Sequence, residues 1–173
     1  MKNIRVHLLP EEIQIAEWVA QQRDATDRRM GIPNRLATLG NHVASAAHSV
    51  GAEIAVAHLL NAVPDFNTDP RRLKPWDLEW GGMTIDVKRT RTLFLNIPNS
   101  TREAMIYVAV TGEGMHYTVV GWITSDEAKR QEFWSDEAVI PCWKVPHERL
   151  HDLSGLWDRG QMQNVRPYWA QGS

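Results

Sequence analysis

"PWDLEWGGMTIDVKRT", Pro75 to Thr90, decides how this chain folds and what it does. Two short β-forming runs flank Gly81-Gly82, a pair suited to a two-residue hairpin turn because glycine accepts positive φ. With that turn, Trp80 faces Met83, Leu78 faces Ile85 and Asp77 faces Asp86. Side chains alternate along a strand. One face then carries Trp76, Leu78, Trp80, Met83, Ile85 and Val87; the other carries Asp77, Glu79, Thr84, Asp86 and Lys88. Slipping by one residue would bury the charges, so the pattern fixes the register.

The polar face sets two aspartates opposite each other, where Cβ atoms lie roughly 4.5–5.5 Å apart and like charges repel. A hard divalent cation with oxygen ligands relieves that repulsion, and magnesium is commonly held by one or two carboxylates plus water and phosphate. Lys88 points to the same side and can reach a phosphate or a water attacking it. Carboxylates, a metal and a lysine are the equipment for phosphodiester hydrolysis. The plainer alternative is a solvent-facing hairpin, but such a strand would more often pair its acids with lysines.

Outward from the hairpin, "IRVHLL" reads as a strand. Pro10, Glu11 and Glu12 open a helix to about Arg23. "RDATDRRMGIPNR" reads as a loop with Arg23, Arg28, Arg29 and Arg35. "LATLGNHVASAAHSVGAEIAVAHLLN" is a long helix, bent or split near Gly51, whose Ala44, Ala47, Gly51 and Ala55 permit close approach. After a loop and the hairpin, "TRTLFLNI" continues the strands. "AMIYVAVTGEGMHYTVVGWI" is a second hairpin turning at Gly112 and Gly114. Ser125 caps a short helix, "DEAKRQEFW", and "PCWKV" is a last strand. Helices followed by mostly antiparallel strands give an α/β (α+β) class: a mixed central sheet flanked by helices, in one domain spanning 1–173.

These residues resemble the PD-(D/E)XK nuclease superfamily, with its restriction-endonuclease-like fold. Asp86-Val87-Lys88 matches the acid-any-lysine element, Asp77 the preceding aspartate, and Glu53 the helical acid ahead of the sheet; "RTRTLFLNI" looks like the family's next strand. The family's "PD" is here "PWD", with Trp76 interposed. The match covers about a fifth of the chain. The "GAEIAVAHLLN" helix followed by "DVKRTR" also looks like small phage-encoded members. The resemblance implies that Asp77, Asp86 and the Val87 carbonyl bind Mg2+ or Mn2+, and that Glu53 binds it directly or through water. It implies that Lys88 orients and helps deprotonate the attacking water, and that DNA is cut to leave a 5′-phosphate.

Arg71, Arg72, Lys74, Lys88, Arg89 and Arg91 surround the acids, so with metal bound this surface suits a phosphate backbone. Arg28, Arg29 and Arg35 extend it if their loop folds that way; a solvated loop is the plainer reading. The net charge of −2 excludes a uniformly basic nucleic-acid binder. It also suggests help from a protein partner, a homodimer or a structured substrate. One cysteine, Cys142, excludes an internal disulfide and a four-cysteine zinc cluster. A reducing, cytoplasmic location follows (host cytoplasm for a phage protein). The apolar run of "MKNIRVHLLPEE" is too short for a signal peptide, and no segment is expected to cross a membrane. Eight tryptophans, five of them in the last third, are mostly packing.

Two readings compete. The same fold persists in catalytically silent nucleic-acid-binding or assembly modules. "HERLH", His147 to His151, also spells the zinc-metallopeptidase pattern, with His147 and His151 as ligands and Glu148 as base. Against the latter, Pro146 precedes it, the helix would be short, and no third His or Glu follows. His42 and His48 read as helix-face residues.

Overall fold

Gly81 and Gly82 both take positive φ, 54° and 71°, and close a two-residue turn. Leu78 pairs with Ile85 and Trp80 with Met83, the register that the alternation predicts. A computed structural model describes residues 3–31, 42–69, 76–99, 104–136 and 140–161. Along the chain come β1 (Ile4–His7), α1 (Pro10–Arg29), α2 (His42–Leu60), β2 (Leu78–Trp80), β3 (Met83–Arg89) and β4 (Phe94–Pro98). Then follow β5 (Ile106–Glu113), β6 (His116–Thr124), α3 (Ser125–Ala128), β7 (Trp134–Ser135), β8 (Cys142–Pro146) and α4 (Leu153–Gln161).

The central sheet is mixed and five-stranded, ordered β1-β6-β5-β3-β2. Only β3 and β5 run parallel; the other neighbours are antiparallel. A second sheet, β4-β8-β7, has three strands. The class is thus α/β (α+β) with a central mixed sheet, as the sequence predicts.

Each face of the sheet has its own core. On one face Leu78, Ile85, Val87, Val108, Val110 and Val119 pack against Leu8, Val19, Val50, Ile54 and Leu156 of the N-terminal segment and helices. On the other face Tyr107, Ala109 and Ile123 meet Leu95, Ile97 and Val145 of the second sheet. Helices therefore flank one face, and a small sheet covers most of the other. "TRTLFLNI" does form a strand, but β4 leaves the central sheet and pairs with β8. The strand beside β3 is instead β5. Thr90 and Thr92 turn the chain out of β3, their hydroxyls 3.1 Å apart.

Several boundaries differ from expectation. α1 continues through Arg29, so Arg23, Arg28 and Arg29 are helical. No breaker stands before Gly31, and Asp24–Arg28 adds an i,i+4 ion pair at 2.7 Å. α2 is one helix across Gly51, with no split. A side chain on Gly51 would stand 2.2 Å from the Tyr117 hydroxyl, so glycine here lets β6 approach. Thr124, and not Ser125, caps α3, in a reciprocal capping box with Glu127. α3 is only one turn; a 3-10 turn, Gln131–Phe133, follows before β7. Contrary to expectation, Val43–Leu60 is long and apolar enough to cross a membrane by length and composition, although 61% of it is buried inside the fold.

Candidate metal and phosphate site

β3 builds the site because both its neighbours hold it in register. Asp86 pairs with Tyr107 and Lys88 with Ala109, so both side chains rise on the face that the second sheet covers. That cover explains why Asp86 is only 4% exposed despite its charge. Asp77 sits just before β2. Its amide donates to the Ile85 carbonyl at 2.9 Å, and its carbonyl accepts from Asp65 at 3.1 Å. Asp77 Oδ2 accepts the Val87 amide at 2.8 Å, beyond the point where β2 pairs with β3. In an extended strand a residue's N–H and C=O point to the same side, so the Val87 carbonyl faces that same edge.

The electrostatics follow from this geometry. Lys88 Nζ lies 2.7 Å from Asp86 Oδ1, with Lys88 partly open to solvent. Burial pushes the Asp86 carboxyl up to about 7; Lys88 opposes the rise and Asp77 adds to it. A carboxyl that resists ionising beside a second carboxyl is a place where positive charge is favoured. Two carboxylates and a strand-edge carbonyl are all hard oxygen donors. They suit magnesium or manganese, which keep waters in their remaining positions.

The other site residues fare unequally. Glu53 is buried on α2, which packs on the opposite face of β3, and it faces Arg23 at 3.5 Å. Arg23 in turn donates to the carbonyls of Asp65 at 2.7 Å and Asn67 at 3.3 Å. Arg23 and the Asp65 backbone link Glu53 to Asp77. Among the described residues no group of three or more His, Cys, Asp or Glu gathers around one point. The expected joining of Glu53 with the aspartates is therefore not seen, because helix and aspartates lie on opposite faces of the sheet.

Arg89 alternates with Lys88 and so points to the helix-covered face. Its side chain is 6% exposed, and Nη1 donates to the Gly112 carbonyl at 3.2 Å. It is not open to a phosphate. Arg91 is exposed and pairs with Glu113 at 3.2 Å. Arg28 and Arg29 stand on α1, Arg28 bound to Asp24. Arg35, Arg71, Arg72 and Lys74 lie outside the described residues. Trp76 packs with the second-sheet core, not with Leu78 and Trp80, and its indole donates to Glu79 at 2.9 Å.

Sequence reasoning missed Tyr107 and Lys129. Tyr107 is fully buried beside Asp86, and Lys129 Nζ stands 6.0 Å from its ring and 5.8 Å from that of Trp143. Nothing local announces them: β5 reads as a plain apolar strand, and its parallel pairing to β3 alone brings Tyr107 to Asp86.

The "HERLH" pattern is not assembled. His147–Arg149 is a single 3-10 turn, and His151 bridges to Trp122 outside any helix. Pro146 ends β8 immediately before that turn. Burial pushes the His147 imidazole below its ordinary value. His151 instead bonds Glu127 at 2.9 Å. Burial alone would raise that carboxyl; hydrogen bonds from Thr124 and His151 outweigh it and hold Glu127 at about 2. His48 Nδ1 accepts the Gly114 amide at 3.3 Å, a structural role at the β5–β6 turn.

Comparison with protein-family models, with curated proteins and with solved structures finds no match to this chain.

Proposed function

We propose that this protein is a metal-dependent nuclease that hydrolyses DNA phosphodiester bonds at Asp77, Asp86 and Lys88, as its resemblance to the PD-(D/E)XK superfamily suggests. The observation that carries the reading is the convergence of Asp77, Asp86, the Val87 backbone and Lys88 at the start of β2, although Asp77 and Asp86 stand in separate runs. A bound magnesium or manganese ion would supply Lewis-acid polarisation of the phosphate and an acidified water. Asp77, Asp86 and the Val87 carbonyl would hold it. Lys88 Nζ stands 2.7 Å from Asp86 Oδ1, so a water or phosphate oxygen held at that carboxylate is within its reach. There it orients the water, helps draw off its proton and steadies negative charge on the phosphorus-bound oxygens. The raised Asp86 carboxyl means that ion and proton compete, so cation binding strengthens as pH rises.

One observation favours the second reading, a silent nucleic-acid-binding or assembly module. Glu53 is bound to Arg23 and stands apart from the aspartates, leaving two acids where the superfamily pattern has three. The test is incubation of the protein with plasmid, single-stranded and duplex oligonucleotides and RNA, with magnesium or manganese and then with EDTA. Cleavage that EDTA stops supports the nuclease. Binding without cleavage on every substrate supports the silent module. Cleavage unaffected by EDTA contradicts the proposed chemistry.

A further inference from the structure

A second cluster lies away from the aspartates, on the outer edge of the central sheet. His7 of β1 and His116 of β6 are directly opposed in the ladder. Leu8 donates to the Met115 carbonyl and continues the antiparallel register. Their rings are tilted at 53° with centroids 4.7 Å apart, and the two Nδ1 atoms stand 3.3 Å apart. Both residues are exposed.

Two imidazole nitrogens bound to one tetrahedral zinc ion, each at about 2.05 Å, must lie about 3.3–3.4 Å apart. A right-angled arrangement would bring them to about 2.9 Å. The two Nδ1 atoms share a hydrogen bond at 3.3 Å, and that separation is also the tetrahedral bite, so an ion can take the place of the shared proton with only a small rotation of the rings. We infer that His7 and His116 form a two-histidine site for a borderline divalent transition metal, zinc above all, with water completing the tetrahedron.

Imidazole selects such ions, whereas the all-oxygen aspartate site selects magnesium or manganese, so the two sites need not compete. The surroundings are mixed. Glu113 is the next residue in the same cross-strand row, opposite His116, and brings negative charge, although Arg91 holds its carboxylate at 3.2 Å. Arg5, two residues before His7 on the same face, opposes it. Because β1 is a four-residue edge strand, an ion here would pin the start of the chain to β6 just ahead of α1.

The test is calorimetric titration of the full chain with zinc, with magnesium in excess to occupy the aspartates, alongside thermal melts and cobalt absorption. The wild type should bind zinc, melt higher with it and give the intense absorption of tetrahedral cobalt. His7→Ala or His116→Ala should each weaken binding roughly a hundredfold, because the chelate becomes a single contact. Asp77→Asn with Asp86→Asn should leave it unchanged. The histidines are exposed, and far-UV circular dichroism checks that the variants fold. Equal zinc affinity in the wild type and a folded His7→Ala/His116→Ala double variant would overturn the inference. So would a cobalt spectrum of octahedral form.

Discussion

β3 and the turn at His147–Arg149 each carry a short pattern of metal-enzyme residue types, and the fold brings the residues of only one of them together. In β3, pairing to β2 on one side and β5 on the other holds Asp86 and Lys88 on one face. Asp77, just before β2, then reaches the same place. At His147 no α-helix forms, so the two histidines never come one helical turn apart, and His151 takes Glu127 as its partner. A pattern of residue types becomes a site only when an element with the right period carries it. Pro146 bars a helix from extending back towards β8, so any helix here would be too short for the pattern.

The sharpest way to break this comparison is to remove a carboxylate from β3. Asp86→Ala should abolish both manganese binding and DNA cleavage, the largest effect expected anywhere in the molecule. Calorimetry with manganese and a cleavage assay on the same preparation read the two together. Retained binding would move the ion away from Asp86.

Next in size is the effect of Asp86 on stability. The folded chain keeps this proton up to about 7, whereas the unfolded chain releases it near the ordinary value of 3.8. The native state therefore binds more protons across that interval. Stability is greatest at the acid end and falls as pH climbs from about 4 to 7, by a few kcal/mol. Asp86→Asn has no such proton to lose. Without divalent ions at pH 8 it should be the more stable protein by about 3–4 kcal/mol, while below about pH 4 the two should nearly agree. Urea midpoints at both pH values check this, and parallel pH curves for the two proteins would contradict it. A residue that costs stability and is still present is what a binding role predicts.

The smallest effect belongs to the other region. His147→Ala and His151→Ala should leave cleavage and manganese binding unchanged; the second should cost the exposed His151–Glu127 contact and the ring packing on Trp122, about 1 kcal/mol or less each. A large loss of activity in either would give the "HERLH" segment a part in the chemistry after all.

The hairpin and its neighbours show how far sequence reaches. Gly81-Gly82 and strict alternation made the β2–β3 register readable to the residue, and with it the meeting of Asp77 and Asp86. Mixed α/β character and most strand positions were also legible. What was not legible depended on pairing between distant segments. β4 looks like the natural neighbour of β3, but its better partner is β8, some 45 residues on. The parallel pairing of β3 with β5 likewise brings Tyr107 beside Asp86. Arg89, by contrast, alternates with Lys88, so its turn away from the aspartates was already legible in the strand period. Glu53 fits the superfamily's order along the chain, yet order does not say which face of a sheet a helix will cover. His7 and His116 stand 109 residues apart, and neither carries any local sign of the other.

The most direct test of the central claim is the rate of manganese-dependent DNA cleavage by Lys88→Ala against the wild type, at matched metal occupancy. Lys88 is the one member of the cluster proposed to act on water and phosphate without holding the ion. The variant should bind manganese nearly as well and cleave at least about a hundredfold more slowly, a loss of about 3–4 kcal/mol of transition-state stabilisation. Cleavage at the wild-type rate would contradict the account, because the lysine beside Asp86 would then have no part in the reaction.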